Sequence, residues 1–518
     1  MSTVSSVSGS VVLDMSAFKG AKMPHRLPVL RFGFGAVKDS ARFAVTGLKG
    51  EHATKVEDGV LFVESKVAFT TYIIVAFSCL IVGLMMTWKK PEDHVFYLKE
   101  GCVATALSWI VLSLSGAFPF VLTGEIPHFI DALFETASGF TTTGSSILSN
   151  VEALSRSSQM WRSFSHWVGG MGVLVFLLAV IPMSGGSNIN LMKAESPGPS
   201  VGKLVPKIRS TARILYMIYI GLCILMFLLL LCGKMPVFDA LTTTFGTAGT
   251  GGFGIKNDSI AGYSPYIQWV VTVFMLLFGV NFNAYYLILF HNAKKAFKIE
   301  EIRWYFTIIL LAVFVIFTDL MQFYPSLSDA VRDSFFQVAS IITTTGFATA
   351  DFNLWSATSK SVLVLLMFIG ACAGSTGGGL KVSRLIILIK TIFKELTSYT
   401  HPKSIVKIKM DDKPIEHEVV RSANVYFITY MIIFVVSVFC LTFENIDLIS
   451  IFTAVAATFN NIGPGLEMVG PTANFAHFSD FSKLVMIFDM LAGRLELFPL
   501  LMLFHPELWK DTIKRKLK

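Results

Sequence analysis

Asp131-Ala-Leu-Phe-Glu-Thr-Ala-Ser-Gly-Phe-Thr-Thr-Thr-Gly144 is a polar, glycine-containing stretch set between two apolar runs, and it recurs. Asp333-Ser-Phe-Phe-Gln-Val-Ala-Ser-Ile-Ile-Thr-Thr-Thr-Gly346 has the same form, with Gly thirteen residues after Asp in both. Asp239 and Gly252 keep that offset through Thr242-Thr-Thr-Phe-Gly-Thr-Ala-Gly-Thr-Gly251, and Phe253 then matches Phe347. A looser fourth copy is Phe459-Asn-Asn-Ile-Gly463-Pro464. The glycines fall about 95 to 117 residues apart, an internal period that governs the reading of everything around it.

The surroundings are apolar. Of 518 residues, 53% are hydrophobic and only 15% charged, against roughly 25% charged in a soluble domain. The 46 Phe and 21 Met exclude both a soluble enzyme of this size and a disordered chain. A bilayer core of about 30 Å needs about 20 apolar residues per helix. Runs of that kind lie at 67–88, 101–122, 161–182, 214–232, 267–289, 304–321, 361–392 (with a break), 424–443 and 482–504. Each Asp-to-Gly copy sits between two of them. The expected fold is an all-α polytopic membrane protein: four pseudo-symmetric span–pore-loop–span repeats around one central pore, with an N-terminal extension and about one extra span. The divisions are a basic extension at 1–66, an extra span at 67–92, repeats at 95–190, 205–295, 302–400 and 420–508, and a basic tail at 509–518. The six cysteines, scattered without a C-x-x-C pair, read as reduced packing residues.

Charge is sorted by side. Lys193, Lys203, Lys207, Arg209 and Arg213 follow the third run, Lys294, Lys295, Lys298 and Arg303 the fifth, and a basic stretch from Lys394 to Arg421 the seventh. The positive-inside rule makes these cytoplasmic and gives the net charge of +8 a topological meaning rather than a nucleic-acid one. The opposite loops are acidic and would draw cations to the outer mouth. One extra span would put residues 1–66 outside despite their nine Lys and Arg, so topology and charge disagree there. The stretch 27–45 reads as a surface amphipathic segment or a degenerate span.

The copies are too short to cross. An Asp N-cap (Asp131, Asp239, Asp333), some nine helical residues and an extended tail describe each of the first three. Non-helical backbone at membrane depth is tolerated only inside protein or along a water-filled cavity. Converging tails therefore predict a cation filter whose carbonyls replace the ion's hydration shell. Its residues are Thr142, Thr143 and Gly144; Thr250, Gly251 and Gly252; Thr344, Thr345 and Gly346; Asn461, Ile462 and Gly463. Gly370-Ala-Cys-Ala-Gly374-Ser375-Thr376-Gly377-Gly378-Gly379 is too glycine-rich for a regular helix and reads as a gate below the filter, with a glycine packing motif as the alternative. Lys381 lies just beyond. Arg494, halfway along an apolar run, must face water or a partner. The bland reading is an ion pair with Asp489 or a neighbouring helix.

With these motifs the chain resembles the Trk/Ktr/HKT superfamily of potassium transporters, and within it the bacterial TrkH-type membrane subunit, over about residues 95–508. Trp167-Val-Gly-Gly-Met-Gly172, Met192-Lys-Ala-Glu-Ser-Pro-Gly-Pro199, Ala373-Gly-Ser-Thr-Gly-Gly-Gly-Leu-Lys381 and Gly493-Arg-Leu-Glu-Leu497 carry the resemblance beyond the filter copies. It implies potassium bound at Gly144, Gly252, Gly346 and Gly463, an intramembrane gate at 370–381, and Arg494 inside the pore. Sodium-preferring plant relatives have Ser at the first of those glycines, so Gly144 argues for potassium. The resemblance also implies a homodimer in the bacterial cytoplasmic (inner) membrane, in contact with lipid. A peripheral nucleotide-binding regulatory subunit of the TrkA/KtrA kind would dock on the basic loops. TrkH-type chains usually carry two extra spans before the first repeat, where this chain shows one.

Gly249-Thr-Gly-Gly-Phe-Gly254 fits G-x-G-x-x-G but neither follows a strand nor opens a helix, and the run from Gly374 to Lys381 lacks the Ser/Thr of a phosphate loop. The ten histidines form no metal-ligand pattern, and His166 reads as a packing residue. No cofactor is implied beyond potassium. Competing functions are a sodium- or proton-coupled symporter of the same family, a membrane-embedded enzyme, and an organic-solute transporter. The enzyme reading lacks a paired set of buried catalytic groups, offering only Asp319, Asp489 and Arg494. The solute transporter lacks an explanation for four Thr/Gly tails.

Overall fold

The computed structural model describes residues 5–7, 10–12, 53–57, 60–64, 66–88, 98–170, 172, 208–290, 293–404 and 406–508. The stretch 27–45, the motif 192–199, the tail 509–518 and the side chains of Lys193, Lys203, Lys207 and Arg209 lie outside the described residues. Two short hairpins, Ser5–Val7 with Ser10–Val12 and Ala53–Glu57 with Val60–Glu64, precede the first long helix, α1 (Lys66–Met86).

Four times a long helix is followed by a short buried helix, an extended segment and a further helix. The long helices are α2 (Leu98–Thr123), α5 (Ile208–Cys232), α10 (Glu300–Leu320) and α14 (His417–Leu441). The short ones are α3 (Phe129–Phe140), α6 (Val237–Gly249), α11 (Leu327–Ile342) and α15 (Leu448–Phe459), of 12, 13, 16 and 12 residues. At 1.5 Å per residue none of these reaches across the roughly 30 Å of hydrocarbon. The returning helices are α4 (Arg156–Gly170), the pair α7 (Pro265–Phe278) and α8 (Phe282–Phe290), the pair α12 (Ala357–Met367) and α13 (Val382–Thr400), and the pair α16 (Asp480–Arg494) and α17 (Phe498–Met502). A short helix α9 (Ala293–Phe297) joins α8 to α10.

The long helices bury one side and expose apolar residues on the other. Leu107, Val111, Leu114, Phe118 and Leu122 form an exposed stripe on α2, and Ile428, Ile432, Val435 and Phe439 do the same on α14. Such stripes would aggregate in water and are ordinary against lipid. Among the described residues five helices are long and apolar enough to cross a membrane, α1 included, and α7 with α8 would form a sixth if counted as one span. All six cysteines are free.

Serines set the returning helices. Ser264, Ser356 and Ser479 cap α7, α12 and α16 by accepting from the N–H three residues on, and Ser155 does the same for Ser158 at 3.3 Å in α4. Each such cap stabilises by about 1 kcal/mol. The aspartates were expected to cap the short helices, and three do not. The N-caps there are His128, Pro236 and Ser326, because Pro127, Pro236 and Pro325 end the preceding segment and let the helix start before the Asp. Asp131 instead pairs with Lys483 of α16 at 2.6 Å, Asp239 accepts from Tyr263 Oη at 2.9 Å, and Asp333 accepts from Thr349 Oγ1 at 3.1 Å. They tie each short helix to the elements that follow or return beside it. Only the fourth short helix has an Asp cap, Asp447, accepting from Ser450 N at 2.8 Å.

The run 361–392 breaks where its glycines predict, but two runs expected to be continuous also break. Residues 267–289 bend by 93° at Gly279-Val280-Asn281, and 482–504 is interrupted after Arg494, where Glu496 and Leu497 are left-handed. The breaks in the second and third returns explain each other. Cys372 N donates to Gly279 O at 3.1 Å, Thr376 Oγ1 to Phe278 O at 3.2 Å, and Phe282 N to Gly374 O at 3.0 Å. Groups freed by one interruption satisfy those freed by the other, which non-helical backbone at membrane depth requires. The loop is therefore not the sole interruption in the returning helices, contrary to the reading from glycine content alone.

Candidate functional site: a ring of four extended segments

At the end of each short helix the chain turns in the same way. Thr142, Thr250, Thr344 and Asn461 are left-handed, with φ of 56°, 54°, 56° and 55°. The residue after each donates its N–H five residues back: Thr143 to Ser138, Gly251 to Gly246, Thr345 to Ser340 and Ile462 to Ala457, at 2.8–2.9 Å. Gly144, Gly252, Gly346 and Gly463 are again left-handed, with φ between 75° and 103°. A left-handed β-carbon-bearing residue costs about 1 kcal/mol or more, and four buried ones at matched positions mark a backbone held for its function.

The segments close on one another. A β-carbon on Gly144 would collide with the carbonyl oxygen of Gly251, one on Gly252 with that of Thr345, and one on Gly346 with that of Ile462. A β-carbon on Gly463 would come within 2.9 Å of Thr143 O, which completes the circuit. All four glycines line a single cavity of about 150 Å³ on one side of this ring, together with Ser145, Phe253 and Pro464.

Side chains behind the ring fix it. Glu135, buried in α3, pairs with Arg162 at 2.7 Å and accepts from Ile147 N at 3.0 Å; Arg162 also donates to Gly254 O at 3.1 Å and lies over the Phe253 ring. Gln337 stands at the matched position of α11, and its side-chain oxygen, oriented to satisfy both partners, accepts from Thr349 N at 3.0 Å and Ala350 N at 3.3 Å. His166 is fully buried between two segments. Its Nε2 accepts from Phe253 N at 3.2 Å, so Nδ1 carries the proton and donates to Gly139 O at 2.7 Å. In the fourth segment Tyr430 donates to Asn460 Oδ1 at 2.9 Å, and Asn461 Nδ2 bridges to Thr143 Oγ1 at 2.9 Å. The bonds these residues make escaped the sequence reading, although His166 is, as expected from it, a packing residue. The signal for Glu135 and Gln337 was present, since each lies seven residues before its left-handed Thr; His166 offered none.

On the other side of the ring the interrupted third return packs against the extended segments. Gly378 N donates to Thr344 Oγ1 at 2.7 Å, and Lys381, buried, donates to Gly377 O and to Gly378 O, the latter at 3.1 Å. Gly370 N donates to Leu380 O at 2.8 Å, closing the neck of the loop; Gly374, Ser375 and Gly379 lie within it, and Ser375 Oγ donates to Cys372 O at 2.7 Å. Arg494 reaches across: Nη1 donates to Thr376 O at 2.8 Å and Thr142 Oγ1 at 3.3 Å, and Nη2 to the carbonyls of Gly169 and Gly170. Asp489 accepts from Ser437 Oγ at 2.7 Å instead, so the ion pair weighed for Arg494 with it is not made. Glu496, two residues on, pairs with Arg384 of α13, whose guanidinium lies over the Tyr426 ring at 3.9 Å.

A family model described as a cation transport protein, TrkH, matches residues 66–516. The chain belongs to the TrkH family. It is 36% identical to the Trk system potassium uptake protein TrkH of Salmonella typhimurium, over 86% of this chain and 92% of that one. It is 33% identical to the Trk system potassium uptake protein TrkG of Escherichia coli, over 87% and 94%. The crystal structure of the potassium transporter TrkH from Vibrio parahaemolyticus superposes with a TM-score of 0.76 at 32% identity, covering 91% of this chain and 96% of that one. The chain is thus a multi-pass membrane protein of a cation transport family.

Proposed function

We propose that this protein takes up potassium through a pore lined by its four filter segments, arranged as pseudo-symmetric repeats. The observation that carries this is the ring, in which each glycine packs on the backbone carbonyl of the next segment and left-handed residues occupy alternate positions. In an ordinary strand successive groups alternate sides. Left-handed residues at every second position break that alternation and let successive carbonyls face one axis, where they can replace a cation's water shell. Potassium is favoured by Gly144, and by the names of the relatives. The cavity of about 150 Å³ is the outer vestibule. The loop at 370–381 and Arg494 form a gate below the filter: backbone fills the path, and a guanidinium opposes cations there.

The finer parts of this reading are the bacterial cytoplasmic membrane, α1 as an extra span, a homodimer, and a nucleotide-binding regulatory subunit on the basic cytoplasmic loops. What supports them is the sorting of basic residues to one set of loops and the family resemblance.

Rubidium flux into proteoliposomes, with and without competing sodium, tests the proposal. Rubidium uptake that sodium does not displace is the expected result; equal sodium and rubidium flux, or none with the gate loop deleted, would overturn it.

A further inference from the structure

Glu301 is a buried carboxylate, 3% exposed, in the first turn of α10, and the gate described above does not include it. Its Oε1 accepts from Ala373 N at 2.7 Å and from Ser383 N at 3.1 Å. These donors stand at the two sides of the loop's neck. Ala373 enters the glycine stretch, and Ser383 opens α13, the helix that leaves it. Both helix starts favour an anion, since the first-turn N–H groups of α13 have no partner within their own helix and the dipoles of α10 and α13 present positive ends.

We propose that Glu301 is a positioning residue, a staple that holds the loop's neck shut and thereby keeps the loop under the filter. The inference rests on reading the loop as a gate. Two N–H groups on one carboxylate oxygen make charge-assisted bonds, each stronger than the neutral bonds beside them, from Gly370 N to Leu380 O and from Val382 N to Ala371 O. Lys381 cross-ties the loop internally but leaves it free to move as a body; Glu301 anchors it to a different helix. One step further along, Glu300 pairs with Lys390 of α13 at 2.6 Å, Lys390 donates to Lys409 O at 2.7 Å, and Asp411 accepts from Glu300 N at 2.7 Å. The hairpin of Lys409–Met410 and Lys413–Pro414 is thereby linked to α10 and α13 together. A force on that hairpin that shifts α13 against α10 draws Ser383 from Glu301 and releases the neck.

The test uses the full-length protein in proteoliposomes. Glu301→Ala should raise basal rubidium flux at least about tenfold, the factor that losing even one of its two charge-assisted hydrogen bonds gives, with rubidium-over-sodium preference unchanged. Glu301→Gln, whose amide oxygen still accepts from both N–H groups but without the charge, should leak less than Glu301→Ala and more than wild type. Ser383→Pro removes one donor at a first-turn position that tolerates proline, leaves the carboxylate intact, and should also leak. It carries the test by itself if Glu301→Ala does not purify folded. Deleting residues 374–379 is the control for the gate. If the deletion raises flux while Ser383→Pro and any folded Glu301→Ala stay at wild type, the staple is wrong and the gate stands. If Glu301→Gln leaks as much as Glu301→Ala, the staple is wrong too. A deletion that leaves flux unchanged overturns the gate and the staple with it.

Discussion

Arg494 donates through Nη1 to the carbonyl of Thr376, 2.8 Å away, and through the same nitrogen to Thr142 Oγ1 at 3.3 Å. One guanidinium thus touches the interrupted third return and the base of the first extended segment of the ring. With Arg494 in the proposed pore, and at an effective dielectric of about 20, a unit charge about 5 Å from a cation opposes it by roughly 3 kcal/mol. Arg494→Ala should raise rubidium flux by up to about a hundredfold. Arg494→Lys keeps the charge but lacks the fork that reaches several carbonyls, so it should fall between the two. Flux in Arg494→Ala no higher than wild type would remove this residue from the gate.

Gly144→Ser should lower potassium-over-sodium discrimination, as measured by competition in the same flux assay. From sequence, normal folding would be expected for this variant. The collision with Gly251 O and a φ of +85° revise that: the neighbouring segment must shift, so a lower unfolding temperature in detergent should accompany the loss of discrimination. Unchanged relative permeability would refute the filter assignment.

His166→Ala should loosen the first two segments, since Gly139 O and Phe253 N both lose a buried partner. Each orphaned group costs about 1–3 kcal/mol. Selectivity should fall more than total flux, which a sodium-competition series would detect.

Glu135→Ala leaves Arg162 charged and buried, and removing one partner of such a pair costs about 3–5 kcal/mol. Glu135→Gln keeps the acceptor for Ile147 N and should cost less. Thermal unfolding of the purified protein orders the two, and equal midpoints would show that the pair does not support the ring.

Much of this was legible in the sequence. Composition dictates lipid-facing helices, and the Asp-to-Gly offset locates three segments, with a looser match for the fourth, whose left-handed backbone the structure then shows at Thr142, Thr250, Thr344 and Asn461. Glycine content alone places the break in the third return, because glycine's backbone freedom is a local property. Asp capping failed for an equally local reason: upstream prolines start the helices sooner than the Asp pattern suggests.

The partners belong to the tertiary structure. Nothing near Gly279 reveals that its carbonyl will meet Cys372 N, nor near Arg494 that it will span Gly169, Thr376 and Thr142. His166 and Glu301 look like ordinary residues of their helices until the chain brings Phe253, Ala373 and Ser383 to them. Periodicity and propensity act over a few residues and so can be read from sequence. Which buried donor meets which acceptor across seventy residues or more depends on how the four units close, and only the folded chain decides that.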